Sequence, residues 1–409
     1  MRLLASLCLI AALASPLLAN DWPNWRGPDR DDVSKETGLL KEWPKEGPKQ
    51  VWSNDNIGLG YSSFAIADGK LFTVGAREDS EFLICLDEND GKEQWSARIG
   101  SRLTDGKGDG PRGTPTISGD AVCVMGGQGT VICAAIANGS VRWEKSMSSL
   151  GGKRPGWGFC ESVLVDGEQV ICTPGGGDGA IVALNKADGE IIWRSTELTD
   201  KAGYSSVVPV NVNGQQQYLQ LFASKVVGVS PSDGKLLWKS DWPGKTAVIP
   251  TPIYHDGSVF ITSGYGVGCK LVKVGDENKV EDVYFNQNMK NHHGGVLRLG
   301  EYLYGYSDQV GWVCLEFQSG KIVWSEKSAL GKGCVTCADG MLYCVDERDG
   351  TVALAEASPE GWKEHSRFQL PRSSNRKSKG MVWTHPVVCN GKLFLRDQEL
   401  LSCFDVKAR

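Results

Sequence analysis

LICLDENDGKEQW, residues 83–95, is one copy of a pattern that the chain repeats. It returns as VICAAIANGSVRW (131–143), IVALNKADGEIIW (181–193), VVGVSPSDGKLLW (226–238) and WVCLEFQSGKIVW (312–324). Each copy holds an apolar run around one small residue, a polar link ending in Asp-Gly or its like, and a closing tryptophan. Asn-Gly and Asp-Gly supply the positive φ angles of a tight hairpin, so each copy reads as strand, turn, strand. Two further copies are worn: 270–284 ends on Tyr284, and 351–362 ends on Trp362 with Pro359 and Gly361 disturbing the turn.

Upstream of each copy lies a second hairpin centred on a turn glycine, at 61–75, 113–126, 159–175, 206–222, 249–264, 292–306, 332–346 and 383–397. Two hairpins make a four-stranded unit, and its spacing is that of propeller blades. Eight units predict an all-β, eight-bladed β-propeller of four-stranded antiparallel blades over residues 48–409. The last unit breaks off after LLSCFDV (400–406) without reaching a tryptophan. PKQVW at 48–52 carries the missing strand and aromatic, so the N-terminal strand is expected to close the ring and remove the exposed sheet edge.

Ahead of the propeller, residues 1–19 have the layout of a signal peptide: Arg2, an apolar stretch from 3 to 13, and small residues at Ala12, Ala14 and Ala19. The product is expected to be exported, periplasmic or extracellular, without a transmembrane segment, and to act as a monomer. Residues 20–47 form an extension whose Trp22, Trp25 and Trp43 predict docking on a blade or on another surface. A net charge of −5 with no long run of Lys and Arg argues against nucleic acid as a partner.

The Trp-ended repeat resembles the PQQ-like β-propeller family, which includes quinoprotein dehydrogenases and the outer-membrane assembly propeller. DWPNWRGP (21–28), GDGPRGTPTI (108–117), GYSSVVPV (203–210) and WTHPVV (383–388) look like a bacterial, secreted subgroup of that family. The resemblance implies two functions. The first is a binding or scaffold module for a protein or polysaccharide partner, or another extracellular polymer. The alternative is a PQQ-dependent, quinoprotein-type oxidoreductase acting on alcohols or sugars, with PQQ and calcium, PQQ lying over Trp383 or Trp157 with Arg112 near its carboxylates. Enzymes of that type resemble one another in carrying adjacent cysteines over the cofactor, and this chain has no adjacent pair. Cys334 and Cys337 are followed by Ala338, where a c-type haem requires His.

In a propeller the first strand of each blade lines the channel, so residues just before the first hairpin turns are expected at its mouth. They are Tyr61, Arg112, Trp157, Glu161, His292, His293, Lys332, Trp383 and His385, with Phe159, Ser206 and Thr251 beside them. Cations, imidazoles and flanking rings suit an anionic planar or sugar-like ligand. Glu161 is a candidate base. His292 and His293, as strand neighbours, are expected on opposite faces, which argues against a metal site there. The repeated Gly-Tyr-Ser-Ser at 60–63 and 203–206 reads as shared geometry rather than a nucleophile, and DGKGDG at 105–110 as a flexible loop rather than a calcium loop. Cys85, Cys133, Cys314 and Cys403 occupy one repeat position, and Cys123, Cys172 and Cys344 another, so buried thiols and few disulfides are expected.

Overall fold

The computed structural model describes residues 21–408; the signal-peptide reading of residues 1–19 lies outside the described residues. The chain forms eight antiparallel meanders arranged as blades, opening at Ala65–Ala67, Thr116–Ser118, Leu164–Asp166, Val208–Val212, Ile253–His255, Val296–Leu299, Gly333–Ala338 and Val387–Cys389. Among the described residues no helix is long and apolar enough to cross a membrane. Lys49–Asn54 pairs antiparallel with Leu400–Asp405 as the outer strand of the eighth blade, so the N-terminal strand closes the ring as expected.

The tryptophans hold neighbouring blades together. The indole N–H of Trp52 donates to the Glu88 carbonyl, that of Trp95 to Ile136, Trp143 to Lys186, Trp193 to Pro231 and Trp324 to Ser358, each in the following blade. Tyr284 does the same with its hydroxyl, to Phe317 at 2.9 Å. The turn glycine of the next blade lies flat beneath the ring: a Cβ on Gly139 would sit 2.4 Å from Trp95, and one on Gly91 2.4 Å from Trp52. That close approach, as much as the positive φ, is why the pattern keeps glycine there. A β-bulge recurs beside the aromatic position in every blade and aims its ring.

The seventh blade departs from expectation. Trp362 precedes the outer strand Glu364–Gln369 and packs on Trp312 and Trp324 of the sixth blade. By register the aromatic position is Ser366, facing Leu354. The missing ring comes from the extension: Trp43, 4% exposed, donates its backbone N–H to Ser366 Oγ and packs on Tyr343 and Phe368.

One disulfide joins Cys123 and Cys133, which corrects the expectation of buried thiols at both. Its cause is register. The two repeat positions face each other across adjacent strands, and the second blade has cysteine at both, with Cα atoms 4.1 Å apart. Elsewhere the partner of such a cysteine is Phe72, Tyr304, Phe394, Val182 or Ala353, and Cys85, Cys314, Cys403, Cys172 and Cys344 are buried thiols.

Candidate functional site

The extension, read from sequence as a separate segment, closes one mouth of the channel and touches the inner part of all eight blades. Trp22 exchanges backbone bonds with Ile66 of the first blade, and Pro23 accepts from Ile117 of the second. Arg30 donates to the carbonyls of Ser162, Val163 (2.7 Å) and Val207 (2.8 Å), spanning the third and fourth. Trp25 Nε1 donates to Thr251 Oγ1 in the fifth, and Arg26 to the Val296 carbonyl in the sixth. Val33–Ser34 then adds a parallel strand to Gly333–Ala338 of the seventh, and Asp32 meets His385 of the eighth at 3.1 Å. Burying two guanidinium groups is tolerable because carbonyls and Asp32 answer most of their N–H groups, Arg30 Nε being left without a hydrogen-bond partner. Arg26 and Asp32 form an ion pair at 2.7 Å, both almost inaccessible.

Above this stopper the opposite mouth is a cup of about 140 Å³. Six aromatic rings line it: Trp25 from the extension, and Tyr61, Trp157, Tyr204, Tyr265 and Trp383 from blade loops. Lys107, Arg112, His293 and His385 share the wall, and no Asp, Glu, Asn or Gln among the described residues does. Of the residues expected at the mouth, Tyr61, Arg112, Trp157, His293, Trp383 and His385 are therefore brought together, with Ser206. They lie in loops just before the inner strands, not on the strands themselves.

The others sit elsewhere. Glu161 turns away from the cup, buried at 3%, and binds the N–H and hydroxyl of Thr173 at 2.7 and 2.9 Å. Burial, partly offset by those bonds and by Arg30, pushes it up to about 7. It props the third blade and does not reach the cup, which corrects the reading of Glu161 as a base. His292 and Lys332 lie behind the wall: Lys332 binds Asp308 Oδ1 (2.6 Å) and His292 Nδ1, and His292 Nε2 meets the Tyr265 hydroxyl at 2.8 Å. His292 and His293 do not oppose each other, because the backbone there is a loop; their rings pack at 3.8 Å.

Each ring is fixed from outside. Trp383 donates to Glu347 Oε2 (2.9 Å) and lies between Tyr61 (5.0 Å) and His293 (4.3 Å). Trp157 packs on Tyr204 and Trp25 on His385. Arg112 sits over Tyr61 and is held by the carbonyls of Gly108 and Gly110. The 105–110 loop is braced rather than free, since Asp109 pairs with Arg102 and with Lys377. The two Gly-Tyr-Ser-Ser copies behave alike: Tyr61 and Tyr204 face the cup, while Ser63 and Ser206 tie blades together through His385 O and Ser162 N.

The electrostatics are cationic. Burial opposes charge on His385, but Cys334 and the Asp32 carboxylate outweigh it and hold the ring at about 10. Burial and the neighbouring His292 keep His293 well below the ordinary range. Its Nδ1 is buried without a hydrogen-bond partner.

The family model for the outer membrane protein assembly factor BamB matches residues 104–326, more than half of the chain. The chain belongs to this BamB family. BamB from Shewanella oneidensis is 24% identical over 313 residues, covering 66% of this chain and 74% of that protein. Tetrathionate hydrolase from Acidithiobacillus ferrooxidans is 22% identical over 52% of this chain and 45% of its own length. Among solved structures, BamB from Moraxella catarrhalis superposes with a TM-score of 0.60 at 16% identity, covering 88% of this chain and 98% of that one. Quinohemoprotein alcohol dehydrogenase from Comamonas testosteroni gives 0.62 at 11%, over 97% and 82%. These likenesses establish the fold.

Within this BamB-family chain the cup does not fit PQQ held by calcium. A hard cation takes oxygen ligands, and the lining has no side-chain carboxylate or carboxamide but the basic side chains Lys107 and Arg112. No group of three or more His, Cys, Asp or Glu able to hold a metal occurs among the described residues.

Proposed function

We infer that this protein is an exported binding propeller whose cup recognises an acidic sugar of an extracellular polymer. One observation carries the reading: six aromatic rings and the cations Lys107, Arg112 and His385 surround one recess that no carboxylate enters. Aromatic faces pack the apolar faces of sugar rings, and charge-assisted bonds from Arg and Lys favour a carboxylate or sulfate. The stopper leaves the cup open on one face only, as a recognition site at the end of a closed channel requires. The name of the Shewanella relative, an assembly factor, supports a binding role over catalysis.

The test is a tryptophan-fluorescence titration of the mature protein with galacturonic acid oligomers, with neutral galactose oligomers of equal length and with PQQ. Saturable quenching by the acidic oligomers alone, lost in Arg112→Ala and Trp383→Ala, is the expected result. Equal response to neutral oligomers, or tight binding of PQQ alone, overturns the reading.

A further inference from the structure

Beside the cup, on the same face, a groove of about 860 Å³ runs between the loops of the third and fourth blades. Tyr204 lines both, so groove and cup are neighbours across one ring. Lys153, Arg154, Lys201 and Lys245 line the groove, and all four are exposed. Their side chains have no ion-pair or hydrogen-bond partner among the described residues. The acid of the groove, Asp200, is neutralised from within: Lys225 contacts both its oxygens at 3.0 Å, and Ser224 Oγ lies 2.7 Å away.

The whole chain carries a net charge of −5, and elsewhere Arg77, Arg102, Arg142, Lys270 and Lys392 each face a carboxylate, whereas the groove gathers four cations around one neutralised acid. Like charges gathered without counter-charges repel one another, and an anion laid among them relieves that repulsion. The walls are built rather than loose: Gly175 bridges Lys201, Gly176 N–H donates to the Asp200 carbonyl at 2.8 Å, and Gly244 N–H to the Ala223 carbonyl.

We propose that the groove is a second subsite of the same recognition surface, which holds successive charged units of a linear acidic polysaccharide whose terminal sugar enters the cup. The proposal rests on the reading of the cup as a saccharide site. Four cations along one open groove, with a single neutralised acid, match a polymer bearing one charge per unit. The cup takes a single ring and the groove takes charge, so the two contribute separately: the cup selects the sugar and the groove selects length.

Galacturonic acid oligomers from monomer to hexamer, titrated calorimetrically into the mature protein, test this. Affinity is expected to rise with length, and the gain over the monomer to fall roughly tenfold when ionic strength goes from about 0.05 to about 0.5 M. Lys153→Glu, Arg154→Glu and Lys245→Glu, combined at exposed positions, are expected to remove at least about tenfold of the hexamer's affinity and leave monomer affinity unchanged. A hexamer that binds the triple variant as tightly as the wild type overturns the groove while the cup reading stands. Groove-dependent hexamer binding without any monomer binding overturns the cup reading instead. Polyglutamate binding through the groove as tightly as the hexamer overturns the saccharide assignment. Circular dichroism of the variant, matching wild type, excludes misfolding as the cause of a loss.

Discussion

Both mouths of the channel are rich in basic and aromatic side chains, and they use them in opposite ways. At the stoppered mouth Arg26 and Arg30 are 2% and 3% exposed, and every hydrogen bond and ion pair they make is to a carbonyl or to Asp32. At the open mouth Arg112 has Asp105 at the longer distance of 3.7 Å, the Lys107 ammonium has no carboxylate partner, only the Trp383 ring 6.0 Å away, and the groove cations have none either. The same residue types are structural where their hydrogen-bonding groups are satisfied internally, and available for a ligand where they are not. Removing residues from the first mouth should therefore cost stability, and removing them from the second should cost binding.

The largest effect is expected from deleting residues 21–47, which removes the stopper and Trp43 while keeping the closing strand. The variant should lose cooperative unfolding or precipitate; a melting temperature close to wild type would erase the distinction between the two mouths. Trp43→Ala should follow at about 3–5 kcal/mol, the usual cost of emptying a buried indole site, with Trp95→Ala comparable. Denaturant unfolding measures both.

That second experiment also bears on what was legible in the sequence. The blade count, the hairpins and the closure by residues 48–52 follow from a repeat that is local, since each turn, strand and tryptophan lies within thirteen positions. Six of the nine residues expected at the mouth line the cup, because their offset from the turns is equally local. Trp25 and Trp43 were visible only as unassigned aromatics, since their places depend on contacts across some 200 to 320 residues, to Thr251 and Ser366. Tyr265 lies on the other loop of its blade, outside the offset rule. Glu161 misled because strand and loop positions differ in where the side chain points. The disulfide was missed because two repeat positions were read separately, although their register pairs them.

Arg30→Ala comes next. It leaves three carbonyls at the centre of the molecule without their donor, and an unsatisfied buried acceptor costs about 1–3 kcal/mol. A total near 3 kcal/mol is expected, since water entering the vacated space answers part of the loss. Lys107→Ala, by contrast, should change stability by less than about 0.5 kcal/mol and lower affinity for the acidic oligomers. If Lys107→Ala destabilises as much as Arg30→Ala, the open mouth is as structural as the closed one.

The smallest and most specific effect is a titration. His385 joins the two mouths: its Nδ1 meets Asp32 of the stopper, and its ring forms part of the cup wall. Its pKa is raised in the folded state from the ordinary 6.5 to about 10, so the folded chain keeps a proton that the unfolded chain gives up. Its contribution to stability is complete below pH 6.5 and is lost as pH rises toward 10. His292 moves the other way: burial and Lys332 lower it to about 4, so it weakens the fold as pH falls below 6.5. At pH 8 nuclear magnetic resonance should find His385 charged and His292 neutral, and Asp32→Asn should lower the pKa of the former without touching the latter. Stability between pH 7 and 9 should then decline less steeply in Asp32→Asn than in wild type. A neutral His385 at pH 8 in the wild type would mean that burial outweighs Cys334 and Asp32 together, and the positive charge of the cup would reduce to Lys107 and Arg112.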